Sequence, residues 1–196
     1  MQSLEILTSI ALGVGLAAAV GLRVFLPLLV LAIAGYAGVV PLADSFQWLA
    51  SLPAVATLGV AAAVEIAAYY IPGVDNLLDT LATPAALIAG TIAAAAVMTD
   101  LPPIVKWTTA VIAGGGAAGL TQGVTSLLRV KSTATTGGLG NPLVATGELG
   151  GATALSLVAI FAPIIALALV VLTVWLAVKG LRRLFAPRRP AATPDP

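Results

Sequence analysis

Long apolar runs, separated by short polar or proline-containing breaks, dominate the chain. The first run, residues 6–41, would reach about 54 Å as a single helix at 1.5 Å per residue, whereas a bilayer core is about 30 Å thick. The run must therefore break, and Arg23 with Pro27 marks the place. The pattern predicts seven membrane spans, at about 6–22, 25–41, 54–71, 80–98, 104–128, 142–161 and 163–178. A re-entrant pair around Arg23 would lower the count to five or six.

The composition explains why these runs belong in lipid. The chain has 196 residues, of which 60% are hydrophobic and only 9% charged, whereas a soluble domain is about 25% charged. We expect an all-α fold, a polytopic transmembrane helical bundle that forms one domain over residues 1–184. Residues 185–196 are rich in Pro and Arg, and we expect them to be a disordered cytoplasmic tail.

Basic residues set the expected orientation. They cluster after the last apolar run, at Lys179, Arg182, Arg183, Arg188 and Arg189. Because cytoplasmic ends of membrane proteins carry an excess of Lys and Arg, this cluster predicts a multi-pass protein of the inner (plasma) membrane with a cytoplasmic C-terminus.

The residue types that are missing narrow the chemistry. The chain contains neither Cys nor His, which removes thiolate sites and the commonest general base and metal ligand. We therefore expect no metal, no cofactor, no catalytic residues and no enzyme activity. The net charge of +1 gives no reason to expect a nucleic-acid partner.

Two acids within the apolar runs are the sharpest functional candidates. Glu65 and Glu148 each lie inside a predicted span, where a charged residue costs at least about 2.5 kcal/mol. Because burial disfavours the charged form of a carboxyl group, both acids are candidates for a proton or cation relay. The alternative is a structural ion pair. Arg23 and Arg129 are the available partners, and crossed pairing of Arg23 with Glu148 and of Arg129 with Glu65 would suit their predicted depths.

The longest polar stretch before the tail covers residues 129–148. Such a stretch cannot lie bare in lipid, so we expect a connector at a membrane face or around a watery cavity. Its candidates for lining a pathway, or for cradling an anion or a lipid head group, are Lys131, Thr135, Thr136, Gly137, Gly138 and Asn141, together with Gln122 from the preceding span. The alternative is a plain polar loop, in which Asn141 and Pro142 start the next helix.

Two further patterns have both a functional and a structural interpretation. Asp75 and Asp79 are spaced i, i+4 and could form a cation-binding edge, but solvated acids, or acids at a helix N-terminus, are the favoured explanation. Glycines at 115, 119 and 123, and at 147 and 151, form small-xxx-small ridges that allow close helix packing, within the chain or in a homo-oligomer. The short echo of L-R-V at 22–24 and 128–130 is a weak sign of internal duplication.

Four blocks carry a family resemblance: G-L-R-V-F-L-P-L-L (21–29), V-E-I-A-A-Y-Y-I-P-G-V-D-N-L-L-D (64–79), P-A-A-L-I-A-G (84–90) and S-T-A-T-T-G-G-L-G-N-P-L-V (132–144). Together they resemble the bacterial family of integral membrane proteins described as domain of unknown function 4126, over nearly the whole chain up to about residue 180. The resemblance implies a helical membrane protein and supplies neither an activity nor site residues.

Three functions remain open at this point. The first is a transporter or channel for a small solute or ion, with the intramembrane carboxylates as relay. The second is a protein that binds or translocates lipid through its head group. The third is a structural membrane subunit that transports nothing. The expected partners are membrane lipid, a small solute or ion, and further copies of the chain.

Overall fold

The structure of the protein, a computed structural model, describes residues 2–71 and 74–184. Side chains at 2, 75, 76, 79 and 181–184 lie outside that description, as does the whole predicted tail at 185–196. Every regular element in the described ranges is helical. They are α1 (Gln2–Val20), α2 (Phe25–Tyr36), a 3₁₀ segment (Asp44–Ala50), α3 (Leu52–Ala68), α4 (Val74–Val97), α5 (Pro103–Thr109), a π segment (Ala110–Gly115), α6 (Gly116–Thr136), α7 (Asn141–Phe161) and α8 (Pro163–Leu184).

The length and composition of these helices make the chain a membrane-embedded protein. Five described helices are long and apolar enough to cross a bilayer: Ser3–Val20, Thr80–Val97, Pro103–Thr136, Asn141–Phe161 and Pro163–Gly180. The 3₁₀ segment and α3, which meet at a 68° bend, form a sixth if they are taken as one span. The all-α polytopic bundle is confirmed. The span count is the lower one, because α2 has only 12 residues and covers about 18 Å.

Helix α1 is the centre of the bundle, packed against α4, α7 and α8. Small residues on α1 allow these helices to approach it closely. A Cβ built on Gly13 would lie 3.1 Å from the backbone of Ala94, and one on Gly15 would lie 2.9 Å from the Cβ atoms of Ala159 and Ala166. The α1 face therefore sits almost directly on its neighbours, and little space separates their backbones.

The predicted break around Arg23 is present, and it turns the chain from α1 into the short helix α2. Helix α2 ends earlier than the apolar pattern predicts. Gly38 follows it with φ +70°, a left-handed conformation that commonly terminates helices and favours glycine.

The chain then enters the 3₁₀ segment, where Phe46 and Leu49 are buried while Trp48 stays exposed. Ser51 next caps α3 by accepting a hydrogen bond from the amide of Ala54 at 3.3 Å.

The polar stretch at 129–148 is largely helical, which corrects the expected long connector. Helix α6 continues to Thr136 and α7 begins at Asn141, so only four residues join them. The hydroxyl of Thr135 donates to the carbonyl of Lys131 at 2.9 Å, and that of Thr136 donates to Ser132 at 2.8 Å. These threonines satisfy their hydroxyls on their own helix, which lets the helix continue through a polar sequence.

Candidate functional site

Glu148 lies between two buried arginines. Its carboxylate accepts a hydrogen bond from Nε of Arg129 at 3.1 Å and a second one from Nη2 of the same residue. Nη2 of Arg23 approaches Oε2 of Glu148 to 3.5 Å. All three side chains are at most 5% exposed. Glu148 on α7 is therefore neutralised by guanidinium groups from α6 and from the α1–α2 turn.

Arg23 is anchored by several different contacts. Its Nη2 also donates to the carbonyl of Ala145 at 2.9 Å. Its guanidinium carbon lies 3.8 Å from the ring centroid of Tyr69, and that of Arg129 lies 4.1 Å from the same centroid. Cation–π contacts of this kind are strongest where water is excluded. Within the described residues, Nε and Nη1 of Arg23 have no hydrogen-bond partner.

Glu65 binds the start of a helix. Its Oε1 accepts from the amide of Val24 at 2.7 Å and its Oε2 from the amide of Phe25 at 3.0 Å. These amides belong to the first turn of α2, whose own N-cap residue provides no side-chain cap. A carboxylate here satisfies N–H groups that have no partner within the helix and faces the positive end of its dipole.

The four predicted ionisable residues therefore meet at one place, together with Tyr69. We call Arg23, Glu65, Tyr69, Arg129 and Glu148 the charge cluster. The predicted pairing is half present: Arg23 does approach Glu148. Arg129 pairs with Glu148 as well, and Glu65 is instead held by the backbone of α2. With all four groups ionised the cluster carries no net charge, which is the arrangement that burial of charges requires.

A cleft of about 730 Å³ opens beside the charge cluster. Its walls come from α3 and α4, and its inner end is formed by the start of α2 with Glu65 and Tyr69. The wall residues Val60, Val64 and Leu81 are 66%, 63% and 59% exposed. The cleft is consequently an apolar groove that opens sideways on the bundle and has one carboxylate at its inner end.

The remaining predicted pathway residues lie away from this cleft. None of Lys131, Thr135, Thr136, Gly137, Gly138, Asn141 or Gln122 lines it. Lys131 and both threonines are exposed at the end of α6. Gly137 and Gly138 have φ of +64° and +91° and make the short turn into α7. The expected connector wall around a shared pocket is thus replaced by walls on α3 and α4.

Asn141 and Gln122 have local structural contacts. Nδ2 of Asn141 donates to the hydroxyl of Thr133 at 3.1 Å, which ties the start of α7 to the end of α6. Nε2 of Gln122, which is 3% exposed, donates to Ser126 at 3.3 Å on its own helix. Asn141 and Pro142 do start α7, as expected.

The cation-edge prediction falls on side chains that are not described. Asp75 and Asp79 lie at the beginning of α4. For these two residues the structure describes the backbone and not the side chain. Among the side chains that the structure does describe, no group of three or more acids could hold a metal ion.

Two glycine ridges are used partly inside the molecule. A Cβ on Gly115 would lie 2.7 Å from Oγ1 of Thr91, and one on Gly119 would lie 2.6 Å from Cδ2 of Leu87, both on α4. A Cβ on Gly151 would lie 3.2 Å from Leu22. Gly123 and Gly147 meet nothing within 4 Å, so these two alone of the predicted ridge positions face open space.

Sequence reasoning missed Tyr69 and the cleft. Tyr69 is only 5% exposed and packs among the buried charges. The available signal was its i, i+4 spacing from Glu65, which puts both side chains on one face of α3. Its neighbour Tyr70 is 40% exposed and shares a hydrogen bond of 2.9 Å with Thr146. No single segment of sequence contains the cleft, because α3 and α4 both contribute walls.

Among the comparisons with known proteins, the one with family models gives a match. Neither the curated proteins nor the solved structures contain a match. A family model described as domain of unknown function (DUF4126) matches residues 10–183. This range includes every residue of the charge cluster and all the residues that line the cleft. The predicted family is confirmed, and the chain belongs to the membrane-protein family described as domain of unknown function (DUF4126).

Proposed function

We propose that this protein is a small transporter in which Glu65 exchanges a proton for a cation. One observation carries the proposal: among the described residues, Glu65 is the carboxylate that is both buried, at 7% exposure, and part of the cleft wall. Glu148 is equally buried but is engaged by two arginines. A transported ion reaching the cleft would therefore meet Glu65 first.

Charge balance explains why a proton and a cation would compete there. The ionised cluster has two positive and two negative groups. Either a proton or a bound cation at Glu65 raises its charge by one, and holding both would place an excess of two charges in a poorly solvated site. Glu65 should therefore hold either a proton or a cation at any one time. Exchange of one for the other requires this.

The groups around Glu65 come from the α1–α2 turn and from α2, α3, α6 and α7. The amides of Val24 and Phe25 donate to its carboxylate, and Arg23 from the α1–α2 turn and Glu148 from α7 belong to the same charge cluster. Arg129 from α6 balances Glu148, and Tyr69 from α3 lies against both guanidinium groups. Glu65 thus belongs to a buried cluster in which charges of both signs offset one another.

The experiment is a flux measurement on purified protein in liposomes that enclose a pH-sensitive dye. Na⁺, K⁺ or choline is added outside, and exchange would make the interior more alkaline. Glu65→Gln should reduce the change to that of protein-free liposomes. Glu5→Gln is the matched control, because Glu5 is an exposed acid near the N-terminus. Equal flux in wild type and Glu65→Gln would refute the relay. No flux with any of the three cations would favour a structural subunit.

A second candidate function is lipid binding or translocation, and the exposed apolar walls of the cleft favour it. Lys131, a predicted head-group ligand, is exposed on α6, whereas the neighbouring Arg129 is buried against Glu148. Lipid retained by the protein would therefore sit in the cleft. Native mass spectrometry after extraction separates the two functions, because a co-purified phospholipid of defined mass supports lipid handling and its absence together with flux supports ion exchange.

We further propose that the protein resides in the inner membrane with a cytoplasmic C-terminus, and that it moves its substrate without altering it chemically. Lys179, which lies over the ring of Trp175 at 4.6 Å, and the arginines that follow support this orientation through the positive-inside rule. A fluorescent protein fused after residue 196 should fluoresce, and a periplasmic phosphatase fused there should be inactive. The reverse result would invert the topology.

Membrane lipid and a second copy of the chain are the proposed partners. Gly123 and Gly147 supply open small-residue positions at which another helix could approach. Light scattering of the purified protein should give a mass above that of one chain, and Gly147→Leu should return it to the monomer. An oligomer unaffected by both Gly147→Leu and Gly123→Leu would exclude these positions from the interface.

A further inference from the structure

We infer that the α3–α4 cleft is the substrate site and that it takes a single-chain amphiphile with an ammonium head group, which enters sideways from the membrane. The inference deepens the proposed function and rests on it for movement across the bilayer. Binding is a separate property, and the experiment below measures it separately.

The size and walls of the cleft select an apolar tail. Its volume of about 730 Å³ falls within the range of about 300–1,000 Å³ that is usual for small-molecule sites. Val60 and Val64 from α3 and Leu78 and Leu81 from α4 line it. These side chains offer dispersion contacts and no hydrogen bonds. A small hydrated ion would therefore gain little binding energy along most of the cleft.

The opening of the cleft faces the direction from which an amphiphile would come. Helix α3 packs closely on α2 and only slightly on α4, so the two walls diverge. Both walls belong to apolar helices, and the exposed side chains at the rim are Val60, Val64 and Leu81. An apolar rim of this kind is suited to contact with lipid, from which an amphiphile would enter without crossing water.

The inner end of the cleft selects the head group. Each oxygen of Glu65 accepts one backbone N–H, and a carboxylate has about four acceptor positions, so each oxygen keeps capacity for one more donor. An ammonium group supplies three donors and a positive charge, and such charge-assisted bonds are the strong ones. Carboxylate or phosphate head groups would place like charge against Glu65. Arg23 and Arg129 do not line the cleft, so they offer such a head group no direct contact.

The experiment measures binding of radiolabelled dodecylammonium to the full chain in lipid nanodiscs, with empty nanodiscs subtracted. Unlabelled competitors are dodecanoate, which has the same chain and an anionic head, and lysophosphatidylethanolamine, which carries the amine on a phospholipid. Unlabelled dodecylammonium, the reference competitor, should displace the label at a concentration at least about tenfold lower than dodecanoate, the factor that one charge-assisted hydrogen bond supplies. Stronger competition by the lysophospholipid would identify a lipid as the source of the same head-group chemistry. Equal competition by dodecanoate would overturn the inference.

Two substitutions locate the site. Glu65→Gln should weaken dodecylammonium binding about tenfold and abolish the preference over dodecanoate. Ala61→Phe places a ring in the cleft, because Ala61 lines it, and should abolish binding. Ala63→Phe is the matched control: Ala63 is an exposed residue of the same helix that does not line the cleft, and binding should be unchanged. Equal effects of the two phenylalanine variants would place the amphiphile elsewhere.

The outcomes distinguish this inference from the proposed function. Head-group-selective binding without cation-driven proton flux would support the substrate site and refute exchange. Proton exchange with Na⁺ or K⁺ and no binding of dodecylammonium would refute the substrate class alone. If Glu65→Gln proves unable to fold, the competition series on the wild type and the Ala61 and Ala63 pair still decide the question.

Discussion

The carboxylate of Glu65 accepts a hydrogen bond of 2.7 Å from the amide of Val24, 41 residues earlier in the chain. This contact joins α3 to the first turn of α2, and the amide of Phe25 adds a second bond at 3.0 Å. The acid that we propose to act in transport is therefore also a helix cap. The proposed transport role and the capping role fall on the same residue, so experiments must separate them.

Replacing Glu65 should reveal its capping role as a loss of stability. Glu65→Gln keeps one acceptor oxygen and turns an NH₂ group toward the other amide, whereas Glu65→Ala leaves both amides unsatisfied. Each buried group left unpaired costs about 1–3 kcal/mol, so the free energy of unfolding should fall in the order wild type, Gln, Ala. Denaturation in mixed detergent micelles measures it. Identical values for Gln and Ala would mean that water takes over both amides.

Replacing Glu148 should lower the free energy of unfolding more than replacing Arg129, although the two residues form one ion pair. Glu148→Gln leaves two buried guanidinium groups near each other, while Arg129→Gln leaves Glu148 with Arg23 at 3.5 Å. Breaking a buried pair costs about 3–5 kcal/mol, and we expect Glu148→Gln to reach that range and Arg129→Gln to fall below it. The same unfolding assay ranks them. Lys131→Gln, at an exposed position, should change stability by less than about 0.5 kcal/mol.

A double-mutant cycle tests whether the two charges are coupled. The variant carrying both Arg129→Gln and Glu148→Gln has removed one positive and one negative group, so it should be less destabilised than the sum of the single variants. Additive losses would show that the short contact between these side chains contributes nothing to folding.

Tyr69 should stabilise the cluster through its ring. Two guanidinium carbons lie 3.8 and 4.1 Å from the ring centroid, and a desolvated cation–π contact is worth about 2 kcal/mol. Tyr69→Leu removes both contacts and should lower the free energy of unfolding by at least about that amount. Tyr69→Phe keeps the ring and should lose less. Equal losses in both variants would assign the stabilisation to the hydroxyl group.

The close packing of α4 on α6 gives a prediction independent of charge. A Cβ on Gly90 would lie 2.4 Å from the Cβ of Ala118, so Gly90→Ala should force the helices apart at a cost of about 1–3 kcal/mol. Gly116→Ala is the control, because its Cβ would meet nothing within 4 Å and alanine favours a helix by roughly 0.5–1 kcal/mol. Melting temperatures in detergent should move in opposite directions. A shift of the same sign in both would argue against close α4–α6 contact.

Sequence reasoning found the participants of the candidate site more readily than their arrangement. Arg23, Glu65, Arg129 and Glu148 stand out because charges are rare and costly in apolar runs, and the structure brings all four together. Their pairing could not be predicted, because a guanidinium from any neighbouring helix can pair with a carboxylate and the sequence does not show which helices are neighbours. The threonines of α6 were assigned to a connector because polarity was taken as a break, whereas their hydroxyls bond back to the helix.

The sequence by itself determined that the chain is helical and membrane-embedded, where several of its helices begin, and which charges lie within apolar segments. Lipid imposes those features locally, through segment length and the cost of bare backbone. The tertiary structure alone decided that Glu65 caps α2, that two arginines share Glu148, and that α3 and α4 diverge to form a cleft. These features depend on contacts between segments tens of residues apart, and such contacts are set by how small residues let the helices approach rather than by any local pattern.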